Sequence, residues 1–260
     1  MRSNRILMVA AIVVYVLLWS PVVVLVVLSF SNNRLGVKWE GFTLRWYIEA
    51  FSSSAVISAL RTSLIIAVVT VVVSTVIGTL AAYGLYKYKL RGKEFLRTSI
   101  LLPMVLPYVV MAGSLLIFFV KVTHIPLGYF TIILGHVVFC FPAVVFVVLA
   151  RMARIDWTLE EASADLGADT ATTWRKVMLP LLAPGILAAA ALIFPWSFND
   201  FNFSYFTGGV GTQTLPVYVF GLLRYGDTAI INAVASLFAV LPIIILLLMG
   251  FLSRQKTVVY

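Results

Sequence analysis

The sequence predicts an all-α integral membrane protein, a bundle of six transmembrane helices. Three observations carry this. The 260 residues are 62% hydrophobic and 11% charged, with a mean hydropathy of +1.06, whereas soluble domains carry about 25% charged residues. Six apolar runs, at 6–30, 61–86, 98–120, 130–150, 183–206 and 229–252, each reach the ~20 residues needed to cross the hydrocarbon core. Backbone in lipid must satisfy its own hydrogen bonds, so these runs read as helices. Finally, the 19 basic residues divide unequally between the two sets of loops and ends. One set holds Arg2, Arg5, Lys87, Lys89, Arg91, Lys93, Arg97, Arg151, Arg154, Arg175, Lys176, Arg254 and Lys256; the other holds only Arg34, Lys38, Arg45, Arg61, Lys121 and Arg224. The positive-inside tendency then puts both termini and the loop at 156–180 in the cytoplasm. Little chain is left for a soluble domain, so 1–260 reads as a single membrane domain.

In chain order, the first run is longer than the 7–15-residue apolar core of a signal peptide, and no Ala-x-Ala site follows it. It is expected to remain as an anchor. The next segment carries Trp39, Trp46 and Tyr47, which suits a short helix at headgroup depth. The second run ends in the basic loop Lys87–Arg97. The third contains Pro103 and Pro107, which should kink or unwind it. Such a break can line a solute path or be a structural kink, and the sequence leaves both open. The fourth carries His136 and Cys140 one turn apart. Two ligands are too few for a metal site, so His136 is expected to bond a neighbouring helix.

Between the fourth and fifth runs lies a polar island of two short helices hinged at Gly167. Thr158 followed by Glu161 reads as a capping box. Ala162 and Ser163 are small enough for another protein surface to approach. Pro180, after Leu179, is expected to stop the second short helix.

The fifth run holds the chemistry. Trp196, Asn199, Asp200 and Phe203 fall at i, i+3, i+4 and i+7, hence on one face of a continuous helix. Asp200 is the sole acidic residue in the six runs. A carboxylate in a span is functional by default, and aromatic rings beside it suit an organic cation. The four therefore read as substrate-path candidates. The competing structural role for Asp200 is a cap or a pairing within the bundle.

Other functions are excluded. A lone cysteine, Cys140, forms no intramolecular disulfide or cysteine cluster. Gly92-Lys93 is followed by Glu94, not Ser or Thr, so it is not a phosphate loop. No nucleophile–base motif occurs, so no catalytic residue, bound cofactor or metal is expected on this chain. The basic residues are dispersed over loop ends, which argues against nucleic-acid binding.

Glu161-Ala162-Ser163, Gly167 and Leu179-Pro180 resemble the EAA loop of ABC-importer permeases of the binding-protein-dependent type. Ser163 stands where that family usually has Ala. Gly41–Tyr47, Gly135–Pro142, Asp165-Leu166-Gly167 and Asn199–Gly208 are similar to stretches of the spermidine/putrescine permeases of the second-subunit type, with Asn199 in place of an Asp. The resemblance implies a non-catalytic permease that passes ATP-driven motion to a translocation path. Glu161, Ala162, Ser163, Gly167, Leu179 and Pro180 would couple to an ATPase dimer, which would hold ATP and Mg. It also implies a second, homologous permease and an extracytoplasmic binding protein as partners, in the bilayer of the inner membrane. Related permeases move iron, thiamine, phosphonates or opines. An ion-driven secondary transporter is the rival class, but it would carry several intramembrane acids and needs no docking loop.

Overall fold

The computed structural model describes residues 2–225 and 228–257. Among the described residues the chain is helical, with one isolated bridge between Ser31 and Phe42. The helices are α1 (Arg2–Leu28), α2 (Arg45–Ser52), α3 (Ser54–Lys87), α4 (Lys93–Val105), α5 (Tyr108–Ile117), α6 (Tyr129–Met152), α7 (Thr158–Asp165), α8 (Thr170–Thr173), α9 (Leu179–Phe198), α10 (Asn202–Thr207), α11 (Leu215–Tyr225) and α12 (Thr228–Thr257). Wider π turns continue α5 over Phe118–Thr123 and join α8 to α9 over Trp174–Met178.

Four helices are each long and apolar enough to cross a membrane, and the pair α4–α5 makes a fifth if counted together. The sixth expected run lies in α12, whose apolar stretch within the described residues is Ala229–Ile245. Six runs thus correspond to six helical segments, but not to six straight rods. The third is bent by 101°. Leu106 is extended (φ −72°, ψ 141°) and Pro107 caps α5. The physical cause is the proline ring, which excludes the residue before it from helical geometry.

Two compact units divide the chain. The first comprises Met1–Arg61 with Thr214–Ile244. The core of this unit is small: Trp46 packs with Ala229 and Ala233. Trp46 Nε1 donates to the Ser31 carbonyl at 2.7 Å. The Tyr47 hydroxyl bonds Ser29 Oγ at 2.7 Å and Ser236 Oγ at 2.8 Å. The expected short helix does form, as α2, but Trp46 points inward and is buried. A Trp N–H seeks an acceptor when buried, and the Ser31 carbonyl supplies it.

The second unit comprises Thr62–Gln213 with Ile245–Tyr260. It is built on α6 and α9. Ile132, His136, Phe139, Cys140, Ala143, Val144 and Val148 recur on α6 at helical spacing and are buried. Of these, Phe139, Cys140, Ala143, Val144 and Val148 share one core with Leu182, Ala189 and Ile193 of α9 and Ala82 of α3. α3 has 34 residues, about 50 Å at the helical rise, well beyond the ~30 Å hydrocarbon core. That surplus length carries Tyr83, Tyr86 and Lys87 to the segment that follows α6.

Candidate functional site

Two places in the second unit concentrate polar chemistry: the loop formed by α7 and α8, and the helix break that follows α9.

In the loop, Gly167 sits at φ +84°. Gly167 N–H donates to the Ala164 carbonyl at 2.8 Å, and Ala168 N–H to the Ser163 carbonyl at 3.1 Å. These are the two bonds of a Schellman motif, which needs a left-handed residue at this position. The hinge expected at Gly167 is therefore present. The capping box is not. Thr158 is the first residue of α7, and its N–H and hydroxyl both donate to Asp156 Oδ1, at 3.0 and 2.8 Å. Thr158 is already helical rather than the residue before the helix, so its hydroxyl is not placed to accept from the first turn, and Asp156 takes its N–H instead. Asp169 caps α8, accepting from Thr172 N–H at 2.9 Å. These hydrogen bonds hold the Asp156 and Asp169 carboxyls below the usual carboxylate range. Ser163 Oγ bonds Thr173 Oγ1 at 2.9 Å and clips the two arms together.

Pro180 does not stop a helix. Helical structure is continuous from Thr170 to Phe198, and Pro180 lies in the first turn of α9. The π turn directly before it widens the coil where the proline ring would otherwise clash with the carbonyl four residues back. Glu161, Ala162, Gly167, Leu179 and Pro180 are exposed, and Leu166 is 90% exposed.

Glu160 faces the other way, into the bundle. It forms an ion pair with Lys87 at the end of α3 and accepts from the Tyr83 hydroxyl at 3.4 Å. The Lys87 ammonium lies 5.4 Å from the Tyr83 ring centroid. Tyr86 stacks on Trp157 at 4.7 Å, and Tyr83 meets Trp174 edge-on at 4.6 Å. Trp157 is fixed by its Nε1–H to the Met152 carbonyl at 3.1 Å. A cleft of about 430 Å³ lies beside this cluster, lined by Tyr86, Lys87, Trp157, Glu160, Glu161 and Ala164.

At the second place, α9 ends at Phe198 and α10 begins at Asn202. Trp196, Asn199, Asp200 and Phe203 therefore do not share one continuous helical face. Trp196 is half-buried against the core, Asn199 is exposed, and Asp200 and Phe203 are buried. The break is stabilised from within. Asp200 Oδ2 accepts from Ser204 N–H at 3.0 Å, which caps α10. His136 Nε2 lies 3.1 Å from the same oxygen and 3.2 Å from Ser204 Oγ. His136 Nδ1 lies 2.7 Å from Ser197 Oγ. A carboxylate can only accept, so Nε2 is the ring nitrogen that donates to it. His136 thus spans the break, binding Ser197 before it and Asp200 and Ser204 at and after it. The expectation that His136 bonds a neighbouring helix holds, and no group of three potential metal ligands occurs among the described residues.

Aromatic rings close over this network. Phe203 stacks on Phe139 at 4.8 Å, and Tyr108 reaches both, at 5.6 Å to Phe139 and 6.2 Å to Phe203. Gly135 lets this happen: a Cβ there would stand 3.0 Å from Phe203 Cδ1. Tyr108 is the first residue of α5, so the break at Pro107 and the break at Asn199–Phe201 come together. The sequence reading missed Tyr108, Phe139, Ser197 and Ser204 here, and Lys87, Tyr83 and Glu160 at the loop. Tyr83 and Lys87 at i, i+4 were the available signal, masked by the loop's general basicity.

Comparison with known proteins agrees with this architecture. The chain is 35% identical over 244 residues to the Escherichia coli (strain K12) spermidine/putrescine transport system permease protein PotC, covering 94% of this chain and 92% of that one. It is 35% identical over 229 residues to the putrescine transport system permease protein PotI of the same strain, covering 86% and 82%. Among solved structures it resembles a chain of the bacterial alginate ABC transporter in complex with alginate pentasaccharide-bound periplasmic protein, with a TM-score of 0.75, 19% identity and coverage of 98% and 95%. The family model for the binding-protein-dependent transport system inner membrane component matches residues 74–257. The chain belongs to that family and is a multi-pass permease subunit of an ABC importer.

Proposed function

We propose that this permease imports polyamines, driven by ATP hydrolysis on a partner subunit. The observation that carries the reading is the 35% identity to spermidine/putrescine permeases across 94% of the chain. The partners in this reading are an ATPase dimer that binds ATP and Mg, a second homologous permease and an extracytoplasmic binding protein. Both termini and the α7–α8 loop lie in the cytoplasm, as the Lys and Arg distribution favours.

The exposed residues of the loop, Glu161, Ala162, Gly167 and Leu166, dock on the ATPase. Ser163 acts from inside the loop, by fixing α7 to α8, and Leu179-Pro180 lead the motion into α9. The ATPase prefers one loop position when ATP is bound and another when it is not, and that difference shifts the conformational equilibrium of the bundle.

The paired breaks form the solute path. Asn199 is the exposed member of the expected four and meets the solute first. Trp196, half-buried, offers a ring face to a cation, and Phe203, buried against Phe139, backs the path. Asp200 lies just behind, shaping the break and supplying negative charge to it. The test is uptake of labelled spermidine by cells expressing the full complex, with unlabelled competitors. Putrescine and spermidine are expected to compete, whereas thiamine, an opine and 2-aminoethylphosphonate are not. Competition by one of those three and not by polyamines would overturn the substrate class.

A further inference from the structure

Two adjacent acids on α7 face opposite ways. Glu161 is exposed, whereas Glu160 has only 19% of its side chain accessible and closes on Lys87. The contact joins residues 73 apart in sequence. Neither partner belongs to the motif that defines the loop. Lys87 keeps 36% of its side chain accessible, and a pair with one partner in water contributes little stability, so stability does not explain the number of groups arranged around it. Tyr83 lies under the ammonium and bonds the same carboxylate oxygen. Trp157, just before α7, stacks on Tyr86, and Trp174, just after α8, meets Tyr83. All three α3 residues lie within its last turns, so a displacement of α7 bears directly on the end of a 34-residue helix.

We infer that Lys87 and Glu160 are positioning residues: their ion pair, seated on Tyr83, is the joint that carries movement of α7 into the second span α3. Glu161 is left free for the docking partner. The inference rests on the reading of α7–α8 as the coupling loop, and it adds a second output to that loop. Motion passes along the chain into α9 through the continuous helix from Thr170 to Phe198, and across space into α3 through the ion pair. The two helices then move together when the loop moves.

The experiment uses the full complex in proteoliposomes and reads spermidine accumulated per ATP hydrolysed. The variants are Lys87→Glu, Glu160→Lys, the two combined, and the near-isosteric Glu160→Gln. Each single reversal is expected to lower the ratio at least five-fold while the ATPase subunit still co-purifies. Glu160→Gln should lower it as well, and its similar shape keeps the test valid if a reversal fails to assemble. The double reversal should recover to within two-fold of the unaltered complex, which a loss of folding would not do. Unchanged ratios in the single variants, or a double variant no better than the singles, would overturn the joint while leaving the coupling loop in place. An unaltered complex with no ATP-dependent accumulation would overturn both.

Discussion

Asp200 owes its position to two neighbours, one far from it in sequence and one a turn along it. A buried carboxyl group is costly unless it is hydrogen-bonded, and His136 and Ser204 N–H supply those bonds. Removing His136 takes one donor from the buried Asp200 side chain. His136→Ala is expected to destabilise the protein by about 1–3 kcal/mol, the usual cost of leaving a buried polar group without its partner, read as a fall in the thermal midpoint of the detergent-solubilised complex. Asp200→Asn keeps the shape, so it should assemble. If Asp200 lends charge to the path, spermidine uptake weakens by the equivalent of about 1–3 kcal/mol, with basal ATP hydrolysis kept. Unchanged uptake kinetics would show that the residue only holds the break. The outlier was legible in the sequence because it is the sole acid in the six apolar runs. Its partner was not, because nothing local marks a contact across 64 residues.

At the scale of elements, the hinge of the loop was legible and its cap was not. Gly167 is the residue type a left-handed helix end demands, and a Cβ there would touch nothing within 4 Å. The penalty for a side chain is therefore conformational, about 1–2 kcal/mol, and greater for a β-branched one. Gly167→Val is expected to uncouple hydrolysis from uptake while the spans still insert, and Gly167→Asn, which tolerates this region, should retain most coupling. Equal uptake per ATP in Gly167→Val and the unaltered complex would remove the hinge from the mechanism. Thr158 and Glu161 have the spacing of a capping box, but the helix starts at Thr158 itself, one residue too early for it, and Asp156 accepts the Thr158 N–H. Pro180 shows the same limit. A proline reads as a stop, yet a π turn before it lets the helix run through. The break at Pro107 was expected on chemistry alone. The break at Asn199–Phe201 was not, because Asn and Asp fit a helix periodicity as well as they fit a cap.

For the whole molecule, composition and hydropathy were enough to give a membrane helix bundle, because a chain this apolar has few alternatives in lipid. They could not show that one span is bent by 101° or that another ends at Phe198. Those features depend on which buried groups find partners. Orientation is testable by single cysteines in a background without Cys140. Labels at Arg91 and at Leu166, which is 90% exposed, should react from the cytoplasmic side; labels at Gly36 and at the fully exposed Val210 should react from outside. Reaction of Leu166→Cys from outside would put the loop beyond reach of an ATPase. The central claim, that this chain moves a solute when a partner hydrolyses ATP, is tested most directly by the complete complex in sealed proteoliposomes. With the binding protein outside and ATP on the face that bears α7 and α8, the account predicts that spermidine accumulates inside the space holding ATP and stops when ATP is removed. Accumulation that persists without ATP and follows an imposed ion gradient would contradict it.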